Sequence, residues 1–529
     1  MKILAIIQSR LDSERLPNKG LLPIKNIPLT VLVAKRIFSK KYKTLVATTN
    51  KKSDDDLCKI LEKNKIDYFR GSNNNVRKRF LDYCKGYNDE DIIVRLTADN
   101  CFPDKNLVEK LLKKIKKDIS YIYINNIFSK VPYGLSVEAF KLGYFRRKKV
   151  KSKKELEHIT LNFDKKNKYD YKSKVNMQDL RCTIDTIDDY VKIAQIFQDI
   201  KNPISISWKK LCNKLYKNNN KDLKINQKKN NPISKLVLGC AQMGFKYGYT
   251  NKKKIITSET TKIFKFCEKV GISQFDTAES YGISEKIIGK NLRNNPKSAI
   301  DTKIYFDYKQ TDNKNFGKYF YNKLIKSNKK IKKRINTLYI HNLSTDNMIN
   351  NKILEEFNHY KKTFFLNRGI SFDKYSDFNN FSKNYAKNIE AVQIPHNILD
   401  HRWSDKDFNK LKKGKIKIAI RSIFLQGLLT SSDVIWPKNL NSFGNQLKKK
   451  INFLVKKFKR LNFMDLCISY INSINHIDKI IIGVNSLKQL TKVYYLMNLR
   501  PLNNKQKLIV QKTFSNLPIQ IIQPSKWKI

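Results

Sequence analysis

Residues 275–282 read Phe-Asp-Thr-Ala-Glu-Ser-Tyr-Gly. An apolar run, Gly271 to Phe275, leads into Asp276, and Tyr281 follows five positions later before a glycine. A barrel strand ends and its loop begins in this way. The next apolar run ends in Thr302-Lys303, and the one after it, Ile335 to Ile340, ends in His341. In a (β/α)₈ barrel the catalytic groups project from the C-terminal ends of several strands. Asp276, Tyr281, Lys303 and His341 at successive strand ends are residue types that the reduction of a carbonyl could use. A carbonyl that takes hydride at carbon gathers negative charge on oxygen and needs a proton there. Tyr281 can donate it. Its phenol, with an ordinary pKa of about 10, is expected to fall beside a cationic Lys303. Asp276 would hold Lys303 as its ion-pair partner, and His341 would orient the carbonyl oxygen. No side chain supplies hydride, so a cofactor must.

Eight strands are needed to carry these groups, and eight apolar runs follow residue 232. They begin at Lys235–Leu238 and include the three runs above. Four more lie at Thr363–Leu366, Ala391–Ile394, Ile416–Ile420 and Lys479–Ile482. With the four types in order at barrel spacing, residues 232–529 resemble the aldo/keto reductase family throughout. The resemblance implies a TIM barrel and a nicotinamide cofactor, NADPH or NADH. It assigns the nicotinamide carboxamide to Ser371 and Gln393, and places Arg421 and Ser422 beside the ring, where an aromatic usually stacks. A guanidinium plane can also stack. Gly483 and Ser486, after the eighth strand, match the adenosine-phosphate loop. Gln489 stands where many members carry an Arg for the 2′-phosphate, with Lys488 as a substitute, so the choice between the two cofactors stays open. Val493 replaces an Asn that usually meets adenine. Cys240 and His396 read as packing or loop residues.

The first half reads differently. Lys2–Gln8 and Thr44–Thr48 read as buried strands, Val31–Phe38 and Asp54–Glu62 as helices, and Asp67–Phe69 and Asp91–Leu96 as further strands. Strands alternating with helices predict a parallel, doubly wound α/β sheet, with ligands outside the carboxyl ends of its strands. The loop after the first strand, residues 8–19, offers Arg10, Arg15, Lys19 and the Ser13 hydroxyl, with Pro17 stiffening the turn. Cations and backbone N–H groups at that place suit a triphosphate. No G-x-x-x-x-G-K-[ST] occurs, so this is not a P-loop.

The stretch Ile7-Gln8-Ser9-Arg10-x-x-Ser13-x-Arg15-Leu16-Pro17-x-Lys19 resembles the opening of the cytidylyltransferases that activate acidic sugars, the spore-coat polysaccharide branch above all. The likeness continues through Phe69-Arg70-Gly71-Ser72, Arg95-Leu96-Thr97-Ala98-Asp99, Pro132 to Glu138, Glu157-His158 and Arg181 to Thr186. It implies CTP and an acidic sugar as substrates, and Mg²⁺ on Asp99 with Asp185 as the second ligand. Capping of the following helix is the rival role for Asp185. Arg10, Arg15 and Lys19 would hold phosphates, and Arg79 and Arg95 would contact phosphate or the sugar acid, with a structural salt bridge as the alternative for each. His158 would orient a loop or a substrate hydroxyl. Ala98, Ser136 and Asn100-Cys101 depart from the family's usual residues, and Ser136 does so in the sugar-binding segment.

At 529 residues the chain exceeds one ordinary core. It divides into a nucleotidyltransferase-like domain at 1–216, a polar linker at 217–231 and a barrel at 232–529. Its formal net charge is +61, from 107 Lys+Arg against 46 Asp+Glu. The excess is spread as Lys among Asn and Ile, which reads as solvated faces rather than a nucleic-acid stripe. A positive field of this kind would draw in anionic nucleotides and acidic sugars. Eight scattered Cys, with no C-x-x-C, fit a reducing cytoplasm without disulfides or a zinc module. No run approaches the roughly 20 apolar residues of a membrane span, and the N-terminus lacks a signal-peptide pattern. A homo-oligomer is left open. The expectation is a bifunctional enzyme of glycan biosynthesis. The rivals are one active half beside a scaffold, and, more remotely, a basic nucleic-acid binder.

Overall fold

The computed structural model describes residues 1–115, 118–218, 232–250, 255–308, 315–343, 347–384 and 388–527. The chain forms two compact units, Met1–Asn226 and Gln227–Ile529. Most of the expected linker, residues 219–231, lies outside the described residues, while Lys217 and Asn218 end the helix Trp208–Asn218.

In the first unit β1 (Ile3–Gln8) is followed by a small hairpin, β2 (Pro23–Ile24) and β3 (Ile27–Pro28), and by helix α1 (Leu29–Ile37). Then come β4 (Lys43–Thr49), α2 (Asp55–Lys63), β5 (Asp67–Gly71), α3 (Val76–Tyr83), β6 (Ile92–Thr97), β7 (Tyr121–Tyr123), β8 (Glu138–Lys141) and α4 (Ile187–Phe197). The sheet order is β5-β4-β1-β6-β8-β7. The four strands expected from sequence pair in parallel, and β8 runs against both β6 and β7. Leu4, Ala5, Ile6 and Ile7 are all 1% exposed or less, so both faces of the central strand are covered. That burial is why β1 reads as a continuous apolar run rather than an alternation. On one face Leu4, Ile6, Leu45 and Ala47 pack with Val76 and Phe80 of α3.

Register brings the functional loops together. Gln8 at the end of β1 lies opposite both Ala47 and Thr97. The Ala98 N–H donates to the Gln8 carbonyl at 3.0 Å, and the Ile184 N–H donates to the Asp99 carbonyl at 3.0 Å. The loop after β1, the end of β6 and the segment before α4 are thus tied at one edge. A buried carboxylate that the sequence did not single out holds the first of them. Asp54 accepts from the Leu11 N–H at 2.9 Å, and also from the hydroxyl of Thr48 at 2.9 Å and the N–H of Thr49 at 3.1 Å.

Arg79 departs from expectation. It is 1% exposed and donates to the backbone carbonyls of Ser72 at 2.7 Å, Ala47 at 3.4 Å and Asn73 at 3.5 Å. Burial lowers its pKa to about 10. It braces the loop after β5 from behind and does not line the cleft, so the expected phosphate or sugar-acid contact is replaced by a structural one. Its hydrogen-bond partners among the described residues are carbonyls, so the rival salt bridge is not made either.

In the second unit β9 (Leu236–Gly239), β10 (Gln274–Asp276), β11 (Ala299–Ile304), β12 (Ile335–Ile340), β13 (Phe365–Ser371), β14 (Ala391–Pro395), β15 (Lys417–Arg421) and β16 (Lys479–Gly483) close into a barrel in sequence order. Every pair is parallel. Two expected boundaries shift. Gly271 is not strand but the left-handed cap, φ 79°, that ends helix α5 (Thr257–Val270). The fifth strand, expected at Thr363–Leu366, spans Phe365–Ser371 and so takes in Gly369; a Cβ on Gly369 would lie 2.5 Å from the Tyr339 ring, so the glycine makes room for a tyrosine inside the barrel. A second buried ion pair, Lys479 to Asp301 at 2.7 Å, lies within the barrel wall. Beyond β16 the chain enters α6 (Leu487–Met497). No described helix is long and apolar enough to cross a membrane.

Arg79→Met should lower the unfolding free energy by about 1–3 kcal/mol, the usual cost of buried carbonyls left without donors. Nucleotide affinity should stay within about twofold of the parent if Arg79 only braces. Denaturant unfolding beside a nucleotide titration separates the two, and a selective loss of affinity would return Arg79 to the site.

Candidate active sites

In the first unit a cavity of about 1150 Å³ opens at the C-terminal edge of the sheet. Lys19 enters it because the loop doubles back on itself. The Asn18 N–H donates to the Leu11 carbonyl at 2.9 Å, and Asn18 adopts a left-handed φ of 57°. The Lys19 ammonium then lies 2.8 Å from Asp99 and 3.5 Å from Asp185. Arg15 and Arg181 each reach Asp185 at 3.1 Å. Burial pushes the Asp99 carboxyl above its ordinary range, against the pull of Lys19. The rival cap role for Asp185 is not the one it takes. Thr186 caps α4 in a reciprocal box with Asp189, which leaves the Asp185 carboxylate turned to the cations.

The other expected residues divide between cleft and framework. Arg10 lines the cavity and pairs with Glu157 at 2.9 Å. Ser13 lines it too, while its hydroxyl accepts the Leu16 N–H at 3.4 Å. Arg95 lines the floor in a 2.5 Å pair with Glu138, which also accepts from Tyr121 and Thr160 at 2.8 Å each. Burial alone would raise the Glu138 carboxyl, but Arg95 and these hydroxyls hold it below its ordinary range. The structural alternative for Arg95 is therefore present at the cleft itself. His158 and Ser136 also line the cavity. Two carboxylates around one cation, with cationic side chains beside them, are hard-oxygen donors suited to Mg²⁺, an ion that keeps several waters or phosphates as its remaining ligands. Among the described residues no group of three or more His, Cys, Asp or Glu could hold a metal.

In the second unit the four expected groups converge. The Lys303 ammonium is 2.6 Å from Asp276 and donates to the Thr277 carbonyl at 2.7 Å. It lies 5.1 Å from the centre of the Tyr281 ring, and the His341 ring meets Tyr281 edge-on at 6.0 Å. Gly244 allows the tyrosine loop to approach, since a Cβ there would fall 1.7 Å from the Tyr281 carbonyl oxygen. Burial, with Lys303 and Arg421 nearby, depresses the His341 pKa to about 3, so the imidazole is neutral near pH 7. Tyr281 departs from expectation. Its phenol is raised, first by burial and then by the Asp276 carboxylate, with Arg421 pulling the other way. The Lys303 ammonium sits against Asp276 at 2.6 Å, and that carboxylate is itself among the groups that raise the phenol.

Ser371 and Gln393 face each other at the ends of β13 and β14. Both are buried, and the Ser371 hydroxyl and the Gln393 Oε1 have no partner among the described residues. The Gln393 amide nitrogen donates instead to Asp276 at 2.9 Å. Two orphaned polar atoms side by side are what a carboxamide would satisfy, so these residues fit a nicotinamide. A neighbouring cavity of about 220 Å³ is lined by Arg421, Ser422, Gly483, Gln489 and Val493. Arg421 is paired with Asp373 and also donates to the Phe372 carbonyl at 3.1 Å. Ser422, Leu425 and Gln426 all take positive φ, a concentration of backbone strain on that wall. Ser486 caps α6, and Gln489 accepts the Asn485 N–H at 2.7 Å. Glu259 of α5 places its carboxylate on the Leu487 N–H at 2.6 Å. No motif marked Glu259, which lies more than 200 positions before its partner. Cys240 and His396 are buried packing residues, as expected. All eight cysteines are free and buried.

Comparison with known proteins bears on both units. Residues 4–229 match the family model described as cytidylyltransferase. Residues 235–512 match that of the aldo/keto reductase family. A protein of Methanocaldococcus jannaschii, named only as uncharacterized, is 34% identical over 203 residues, 36% of this chain and 81% of its own. The spore coat polysaccharide biosynthesis protein SpsF of Bacillus subtilis is 28% identical over 233 residues, 41% of this chain and 95% of its own. An aldo-keto reductase from Bacillus halodurans, in its holo form, aligns at 20% identity and a TM-score of 0.44 over 53% of this chain and 91% of its own. The chain thus belongs to the aldo/keto reductase family by its second unit, fused in one polypeptide to a cytidylyltransferase domain.

Proposed function

We propose that the first unit transfers CMP from CTP to an acidic sugar with Mg²⁺, and that the second reduces an aldehyde or ketone with a nicotinamide cofactor, both in surface-glycan biosynthesis. One observation carries the reading. In each unit the candidate groups gather at the C-terminal ends of parallel strands, Asp99 and Lys19 in one and Asp276, Lys303, Tyr281 and His341 in the other. The glycan setting is supported by the likeness to SpsF.

In the first reaction a sugar oxygen attacks the α-phosphorus, the bond to the β-phosphate oxygen breaks, and pyrophosphate leaves. Arg10 and Arg15, at the cavity mouth, would neutralise the phosphates, and Arg95 on its floor would face the sugar acid. Asp99 and Asp185 would hold Mg²⁺, which lowers the charge barrier when bound. In the second reaction the nicotinamide supplies hydride when bound, held by Ser371 and Gln393. The neutral His341 would hydrogen-bond the carbonyl oxygen, and Tyr281 would give it a proton. Asp276 and Lys303 position that phenol. Burial keeps the phenol protonated, so the donor persists into alkaline solution.

Asp99→Asn should retain nucleotide binding and lose transfer, since a neutral amide is a poor Mg²⁺ ligand. The measurement is pyrophosphate release with CTP, Mg²⁺ and a panel of sugar acids. Wild-type turnover in the variant would remove Asp99 from the site.

Tyr281→Phe should bind cofactor normally and lose aldehyde reduction by about 10²–10⁴-fold, the usual worth of a positioned general acid. Because the folded His341 pKa is depressed to about 3, its neutral form persists as pH falls through the ordinary histidine range. The turnover profile of the parent should therefore show no acidic limb between about pH 6 and 9. An inflection near the ordinary histidine value, abolished by His341→Gln, would contradict the buried neutral imidazole.

On the cofactor itself, Glu259 of α5 favours NADH, because its carboxylate already occupies the Leu487 N–H at the start of α6, a donor that an added 2′-phosphate would use. NADH should bind more tightly than NADPH in a fluorescence titration, and Glu259→Gln should narrow the gap by about fivefold. Tighter NADPH binding by the parent would reverse the assignment.

A further inference from the structure

We propose that Lys19 is a placeholder cation: its ammonium occupies the place between Asp99 and Asp185 that a divalent ion takes, so metal binding waits for the nucleotide. The inference rests on the reading of the first unit as a metal-dependent transferase. Lys19 directs its ammonium at three oxygens, Asp99 Oδ2 at 2.8 Å, Asp185 Oδ1 at 3.5 Å and the Ile184 carbonyl at 3.3 Å. Three donors on three oxygens use up the hydrogen-bonding capacity of an ammonium. The same kind of oxygen set binds a hard divalent cation. A metal between those carboxylates would lie against the ammonium, and two cations at such a distance repel strongly in a part-buried site. The ammonium and the metal therefore exclude one another.

The loop shows which of the two gives way. Its backbone is held by the Asn18 to Leu11 hydrogen bond, but the Lys side chain is a flexible four-carbon stem. It can swing without moving the loop once phosphate oxygens offer an alternative partner. The two carboxylates are also too few to complete an octahedral magnesium shell, whose remaining ligands must be water and phosphate. Nucleotide entry then does two things together: it draws Lys19 away and delivers the missing oxygens. Asp185 keeps Arg15 and Arg181, at 3.1 Å each, after Lys19 leaves. Asp99, whose ion pair is with Lys19, is the carboxylate set free and should dominate metal affinity.

The test uses the full chain with Mn²⁺ as probe, protein-bound Mn²⁺ being read by paramagnetic resonance, with and without a non-hydrolysable α,β-methylene analogue of CTP. Without nucleotide the parent should bind Mn²⁺ weakly, and Lys19→Met should bind it at least about tenfold more tightly. Adding Asp99→Asn to Lys19→Met should abolish that gain. With the analogue present, the parent should bind Mn²⁺ tightly. Circular dichroism checks folding, and Lys19→Gln serves the same comparison should the Met variant not fold. If the uncharged variants bind no more tightly than the parent while the analogue still recruits Mn²⁺, the placeholder is wrong and the transferase reading stands. Tight binding to the parent without nucleotide also overturns it. If no protein binds Mn²⁺ with or without the analogue, the metal-dependent reading falls as well.

Discussion

The Lys303 ammonium has no solvent exposure and lies 2.6 Å from Asp276. A charge buried to that degree persists only when it is paired and hydrogen-bonded. Asp276 meets that need with one carboxylate oxygen and turns the other to Gln393 at 2.9 Å, while the Thr277 carbonyl takes a further ammonium proton. Three strand ends are thereby locked to one another. The lock sets where Tyr281 stands, because its ring packs 5.1 Å from the same ammonium. Among the described residues the Gln393 oxygen and the Ser371 hydroxyl are left without partners, placed for an amide. Removing either member of the pair would strand the other charge in the barrel, so the site and the stability of its wall are a single problem.

The first unit solves a related problem with less burial. Lys19 is 11% exposed against two carboxylates, one of them shared with arginines. Arg10, Arg15, Lys19, Lys51, Arg95 and Lys165 line that cavity beside its carboxylates, and such cations suit a polyanionic substrate. The wider charge of +61 acts in the same direction without specifying any site. Both units thus place a lysine against aspartate at the ends of parallel strands. They differ in what surrounds it: a packed barrel interior around Lys303, and a wide polar cavity around Lys19.

Several residues took roles that their types did not announce. An arginine soon after a stretch that resembles a nucleotidyltransferase invites assignment to phosphate, yet Arg79 spends its donors on carbonyls behind the loop. Asp54 and Glu259 look like ordinary helix-start acids. The fold makes one a buried brace for the β1 loop and the other a carboxylate at a distant helix terminus. Glycines misled in the opposite sense. Gly271 and Gly369 both sit beside apolar runs, and one ends a helix while the other lies within a strand.

By itself the sequence determined the two folds, their order and the identity of the strand-end groups. Burial on both faces writes a parallel strand as a continuous apolar run, and the residue that ends the run is read from its position alone. That is why Asp99, Asp276, Lys303 and His341 were legible. Only the tertiary structure decided their ionisation and their partners. The Tyr281 phenol is raised rather than lowered because desolvation depends on everything packed around the ring, and because the Asp276 carboxylate lies near it. The same holds for Lys19, whose type promised a phosphate contact and whose distances place it between two carboxylates. Local pattern records which side of an element is buried. Charge pairing is set by side chains that may be separated by hundreds of residues along the chain, and it becomes defined only when the strands are brought into register.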